Sequence, residues 1–228
     1  MHDQQPLAGA RYSSWGESMT DIGMTTDDLL GRAKAGDAAA LGALFAHYRD
    51  RLRNMVRLRI DQRVARRLDP SDVLQEAFLD VSRRFAEYAA APTVPFYVWL
   101  RALTGQRLID VHRQHLGVKM RDAGQEVSLY RGALPQASSG SLAQQLLAGL
   151  TSPTQAAVRA EMQMKLQEAL NSMDPMDREV LVLRHFEELN NIETAAVLGI
   201  EPSAASKRYL RAFRRLKAIL DQIPGFFS

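Results

Sequence analysis

Apolar residues recur at intervals of three and four along nearly the whole of this 228-residue chain, a period that suits helices and argues against strands. Leu41, Leu44, Phe45, Tyr48, Leu52, Met55 and Val56 form one stripe. Leu74, Ala77, Phe78, Val81 and Phe85 form a second over residues 71–88, and Phe96, Trp99, Leu100 and Leu103 belong to a third over residues 96–116. No stretch combines sustained period-two alternation with hairpin turns, so no sheet is expected. The predicted fold class is all-α.

Helix starts are marked by composition. Asp69-Pro70-Ser71-Asp72 and Asp174-Pro175-Met176-Asp177 share one design. The first Asp can cap free backbone N–H groups, Pro fits the first turn, and the second Asp favours the positive end of the helix dipole. Thr25 with Asp28 suggests a capping box for a first helix near residues 26–35.

From Gly132 to Val158 no residue is charged. This break divides the chain into a disordered extension (1–24), a first small helical domain (25–117), a linker (118–152) and a second small helical domain (153–228). Leu142, Leu146 and Leu150 stand at helical spacing, so a short amphipathic helix is expected inside the linker.

The formal net charge is only +3, but it is unevenly spread. Eight arginines and two acids lie between Arg49 and Arg67, and no acid lies between Pro202 and Leu220. Such clusters suit a polyanion, and a solvated helix face is the plain alternative. No run of about 18 apolar residues exists, so no membrane insertion is expected. Met1 to Gly23 lacks an apolar signal core. Cysteine is absent, which excludes disulfides and thiolate metal sites and is compatible with the cytoplasm. The five histidines show no metal-ligand spacing, and no P-loop or G-x-S-x-G motif occurs. Neither catalysis nor a cofactor is expected.

Residues 191–216 have helix-turn-helix spacing. Ile192–Leu198 makes a short helix with small Ala195 at the close approach. Gly199 can take the positive φ that ends it, Ile200 plugs the turn, and Pro202 opens a longer helix through Leu216. Ala205 takes the inward position, and Glu201 is a poor N-cap. Ser206, Lys207, Arg208 and Arg211 are placed to face a major groove, with Arg184 and Arg215 nearer the phosphates. An ordinary helical hairpin with a basic face is the alternative.

On the earlier helix, Asp72, Glu76 and Asp80 fall four apart on the side opposite the apolar stripe, flanked by Gln75 and Leu79. An apolar residue ringed by acids suits docking to a basic surface with an apolar centre. The alternative is a solvated face with one stray Leu.

Taken in order, these motifs resemble the sigma-70 family of bacterial transcription factors, in its compact extracytoplasmic-function group, over about residues 25–222. Asp69 to Leu79 resembles the family's polymerase-binding segment. Phe96, Trp99-Leu100, Leu103, Ile109-Asp110 and Arg113 resemble the segment that opens the −10 element. Met173 to Leu216 resembles the segment that reads the −35 element, and Leu29 to Asp37 the group's first helix. The resemblance implies a sigma factor that binds core RNA polymerase through Asp72, Gln75, Glu76, Leu79 and Asp80. It implies −10 DNA contacts from Tyr97, Trp99, Gln106, Arg107, Asp110, His112 and Arg113, and a flipped-base pocket at the loop Ala89–Pro95, selective through backbone groups and shape. It also implies transcription initiation at promoter DNA, with an anti-sigma factor or other regulator as a further candidate partner. The chain departs from the pattern in having Gln106 where Asn is common, and in placing Gly105 inside a helix at a cost of roughly 1 kcal/mol against Ala. By the same resemblance the linker threads through polymerase and is partly disordered in the free protein. The alternative is that Leu142, Leu146 and Leu150 pack the two domains together in the free state, masking DNA-binding surface. Two other functions fit the bare motifs: a helix-turn-helix regulator that works without polymerase, and an interaction protein whose basic faces bind RNA.

Overall fold

The computed structural model describes residues 25–116, 134–148 and 156–222, and within these every regular element is helical. The expected extension 1–24 and the start of the linker lie outside the described residues. Two compact units are distinguished, Met1–Leu44 and Phe45–Ser228. In the first, α1 (Thr26–Lys34) starts from the expected capping box: the Asp28 amide donates to the Thr25 hydroxyl, and the Thr25 amide donates to the Asp28 carboxylate. Asp37 then accepts from the amides of Ala39 and Ala40 at the start of α2 (Ala38–Arg59).

In the second unit, α3 (Gln62–Ala65), α4 (Pro70–Ala90) and α5 (Phe96–Leu116) gather on the end of α2. Met55, Val56, Ile60, Val64, Val73, Leu108 and Val111 form their shared core. Trp99 belongs to an aromatic cluster, stacked on Tyr88 at 4.6 Å between ring centres and close to Phe85 and Phe96. The Asp-Pro start of α4 is capped twice over. Asp69 accepts from the Ser71 amide at 2.7 Å, and Asp72 reaches back to accept from the Asp69 amide at 3.0 Å.

The later helices are α6 (Ser139–Ala148), α7 (Ala156–Asn171), α8 (Pro175–Leu181), α9 (Asn191–Leu198) and α10 (Pro202–Leu220), with a π-helical turn at Val182–Phe186 continuing α8. Their core includes Leu142, Leu147, Leu166, Leu170, Val180, Leu216 and Leu220. Leu58 of α2 is buried in the same cluster. The helix expected in the linker is thus present as α6, with Leu142 buried and Leu146 partly buried; Leu150 lies outside the described residues.

Two contacts tie the linker to the earlier helices. The Ser138 amide donates to the Leu58 carbonyl at 2.9 Å. Leu134 lies on Gly105 so closely that a Cβ there would stand 1.9 Å from its Cδ2. This close approach accounts for a glycine that helix propensity alone disfavours. The described part of the linker is packed rather than loose.

Candidate nucleic-acid interface and acidic docking face

On α4 the apolar residues Val73, Leu74, Ala77 and Val81 point inward, which turns Asp72, Gln75, Glu76 and Leu79 outward. Leu79 is 54% exposed among these polar neighbours. The face is not purely anionic, however. Arg107 of α5 donates to Asp80, which is only partly exposed, and lies 3.5 Å from Glu76. One arginine thereby links the acidic face to the residues expected at DNA.

The α5 residues separate by helical face. Gln106, Asp110 and Arg113 stand on one side, joined by long contacts of 3.5 and 3.4 Å to Asp110. Tyr97 is on the opposite side, buried under the Arg51 guanidinium at 3.7 Å from its ring centre, and its hydroxyl has no hydrogen-bond partner among the described residues. Burial chiefly, and Glu187 after it, raises the Tyr97 phenol well above its ordinary value. Trp99 is also buried, but its edge lines a recess of about 220 Å³ with Arg84, Glu87, Tyr88, Ala91 and Thr93. The Tyr88 hydroxyl donates to the Val94 carbonyl at 3.0 Å, fixing the loop above. The sequence points to backbone and shape at this pocket and does not reveal the two charged side chains at its wall.

His112 is buried, and its Nε2 accepts the Asp61 amide at 3.1 Å. Burial lowers its pKa, partly offset by the Asp61 carboxylate, which Arg63 holds down at about 2. A histidine whose folded pKa lies below its unfolded value contributes stability that is present above the unfolded pKa. That contribution is lost as pH falls through the folded value. Stability is therefore expected to fall as pH drops from 7 to 5, and to fall less steeply in His112→Gln. Denaturant unfolding across that range measures it, and equal slopes would contradict the assignment. His185 is also lowered by burial and then by Arg184, so a residual slope is expected.

The helix-turn-helix forms as its spacing requires. Gly199 takes φ 64° at the end of α9, Ala205 is buried at the crossing, and Glu201 makes no side-chain cap. Asn191 instead donates to the Pro202 carbonyl at 2.8 Å and accepts from the Ser206 hydroxyl at 3.0 Å, which orients the start of α10. Asp177 has a role that its place in the sequence does not suggest. It stands in the first turn of α8, yet its carboxylate is buried and faces α10, 3.1 Å from Arg208 and 3.5 Å from Arg211. Arg208 is thereby tethered, while Arg211 remains 64% exposed at its side chain and Lys207 and Arg215 are exposed. Arg184 donates to the Leu189 carbonyl at 2.9 Å and lies over the Tyr209 ring, so it braces the turn before α9.

The model of the ECF sigma factor family matches residues 24–221. The chain belongs to that family. It is 28% identical over 200 residues to the ECF RNA polymerase sigma factor SigD of Mycobacterium tuberculosis, covering 88% of this chain and 86% of that one. It is 27% identical over 152 residues to RNA polymerase sigma factor CarQ of Myxococcus xanthus, covering 67% and 75%. Among solved structures, CnrH in complex with the cytosolic domain of CnrY aligns at a TM-score of 0.48 and 24% identity, over 85% of this chain and 95% of that one. No helix among the described residues is long and apolar enough to cross a membrane.

This ECF family member also contains a buried charge network that the sequence alone does not disclose. Glu187, fully buried, sits between Arg59 and Arg101, each 2.6 Å away. Arg59 also pairs with Glu179, and Arg101 lies 3.7 Å from it. At the rim Arg51 reaches the Glu188 carbonyl at 3.0 Å and Glu193 at 3.1 Å. Burial alone would raise the Glu187 carboxyl, but Arg101 and Arg59 hold it below the ordinary range. Arg51 and Arg59 belong to the basic cluster whose composition suits a polyanion, and here they turn inward. A signal exists in the spacing. Arg59 continues the stripe of Leu52, Met55 and Val56, and Arg101 interrupts the apolar run of α5.

Proposed function

We propose that the chain binds core RNA polymerase and directs it to promoters, opening the −10 element and initiating transcription. The observation that carries this reading is the exposed Leu79 set among Asp72, Gln75 and Glu76, on a chain that also has a basic recognition helix. A regulator that only bound DNA would have no use for that acidic face. In this reading residues 25–117 supply the polymerase and −10 contacts, and residues 153–228 the −35 contacts. Gln106, Asp110 and Arg113 are turned outward for DNA, and the recess beside Trp99 receives an unstacked base. Holding such bases recovers part of the energy of opening the duplex. Arg107 is shared with the acidic face, and Tyr97 and His112 act from within the fold. The site of action is the cytoplasm, with an anti-sigma factor or another regulator as a further partner. Promoter-dependent transcription by core polymerase on addition of the chain tests the proposal. Transcription that does not depend on the added chain would overturn it.

The −35 assignment has its own test. Replacing Lys207 and Arg211 together by Ala should relax sequence preference at the −35 element, by about 1–3 kcal/mol for each bidentate pairing with a base that is removed. Arg215→Ala should weaken all sequences alike and flatten the salt dependence. Binding measured against a set of single-base promoter variants separates the two. An unchanged preference in the double variant would remove these residues from the reading surface.

A further inference from the structure

We propose that Arg57, Arg66 and Arg67, at the end of α2 and just beyond α3, hold the phosphate backbone of the duplex between the −10 and −35 elements, an inference that rests on the promoter-directing function given above. Of the eight arginines between Arg49 and Arg67, Arg51 and Arg59 go to buried carboxylates. Arg53 lies 3.9 Å from Asp69, and Arg63 lies 3.0 Å from Asp61. Arg57, Arg66 and Arg67 are exposed and form no ion pair among the described residues.

The fold brings these three together. After α2 the chain turns at Ile60 and Asp61, forms the short helix α3 and arrives at Asp69 beside Arg53. Residues 61–69 therefore run back along the last turns of α2, and Arg66 and Arg67 return toward the level of Arg57. Val64 is buried with Met55, Val56 and Ile60, which fixes that return. The Arg67 amide donates to the Val64 carbonyl at 2.9 Å and holds the turn that carries both arginines. The two acids of this stretch are engaged already. Asp61 accepts from both Nε and Nη2 of Arg63, and Asp69 caps α4. The surface is left with an excess of positive charge, which suits a polyanion.

Position selects which polyanion. Helix α3 sits at the C-terminal end of α5, where the Asp61 amide meets His112 and the exposed Arg113 and His115 follow. The recess proposed for an unstacked base is near the other end, beside Trp99. Trp99 and His112 are roughly 20 Å apart along the helix at 1.5 Å per residue, about six base pairs of duplex. From that C-terminal end the chain continues to the half assigned to the −35 element. DNA leaving α5 there runs toward the −35 element and is still paired. The residue type fits as well, since the planar fork of Arg binds two phosphate oxygens at once. Polymerase is the poorer partner: the surface that would take the acidic face around Leu79 is basic and would repel the same arginines.

The salt dependence of binding measures the contact. Holoenzyme assembled from core polymerase and the full chain is titrated with a duplex promoter fragment that it transcribes, over about 0.05 to 0.2 M salt. Each phosphate contact contributes about 0.9 to the slope of log affinity against log salt. Arg66→Gln combined with Arg67→Gln should therefore flatten the slope by about 1.8, and Arg57→Gln alone by about 0.9. Base preference at both elements should match the parent. A single-stranded oligonucleotide carrying only the −10 sequence lacks the spacer duplex, and should bind parent and variant holoenzyme equally. Affinity for core should also be unchanged. Arg57→Gln carries the test should the double variant lose its helical circular dichroism. Equal slopes on the duplex fragment would overturn the proposal. So would an equal loss on the single strand, or weaker assembly with core, which would put these arginines against polymerase. Failure of the parent to assemble with core would instead overturn the promoter-directing function. The free chain titrated with a short duplex of arbitrary sequence then still decides: a flatter slope in the variants supports the phosphate contact, and an equal slope overturns it.

Discussion

Glu76→Lys is expected to weaken binding to core RNA polymerase on the order of 100-fold, the consequence of about 3 kcal/mol of like-charge repulsion at a basic partner surface. Glu76 is more than half exposed and makes no short contact; its nearest cation is Arg107 at 3.5 Å. Arg107 keeps Asp80 when Glu76 is reversed, so the helix pair α4–α5 should survive. Unfolding free energy should therefore change by no more than about 0.5 kcal/mol, the ordinary range for a surface substitution. Titration of labelled chain with core polymerase measures the first quantity and denaturant unfolding the second. Parent-like assembly by the variant would mean that the face around Leu79 is not the docking surface.

Leu58→Ala should lower the unfolding free energy by about 2–4 kcal/mol. The side chain is fully buried, and it fills a core whose other buried members come from residue 137 onward. Truncation leaves a void bordered by the linker helix and by α7 to α10, where Leu142, Leu166 and Val180 cannot all move to fill it. A denaturant midpoint close to the parent's would show that α2 is not part of that core in solution.

Much of this organisation is legible in the sequence, because helical fold and capping are local. The period of apolar residues and the Asp-Pro starts depend only on neighbours three and four residues away, and α4, α5 and the α9–α10 turn form where those signals lie. The outward turn of Leu79 and its acids follows from the same period. What is not legible needs partners distant in sequence. Arg59 and Glu187 are 128 positions apart; the place of Arg59 in an apolar stripe marks it as turned inward, but nothing local names the carboxylate it meets. Tyr97 and His112 look exposed because their residue types suit DNA; the packing of Arg51 over one and the Asp61 amide on the other go with their burial, which no local signal shows. Asp177 reads as a favourable charge at a helix start, and its second use on Arg208 depends on where α10 returns.

The contact of Leu134 with the bare backbone at Gly105, together with the Ser138 amide on the Leu58 carbonyl, bears on how promoter choice could be exchanged between family members. A chimera joined near residue 117 would bring a foreign linker onto Gly105, and any donor with a side chain at that helix position would carry a linker shaped for a different surface. Joining instead between α6 and α7 keeps Leu134 through Leu147 with the helices they fit. The incoming segment then has to bring carboxylates equivalent to Glu179 and Glu187, or Arg59 and Arg101 would be left buried without counter-charges. Portability of the half proposed to read the −35 element is thus set at its seam, by the two carboxylates that pair with Arg59 and Arg101.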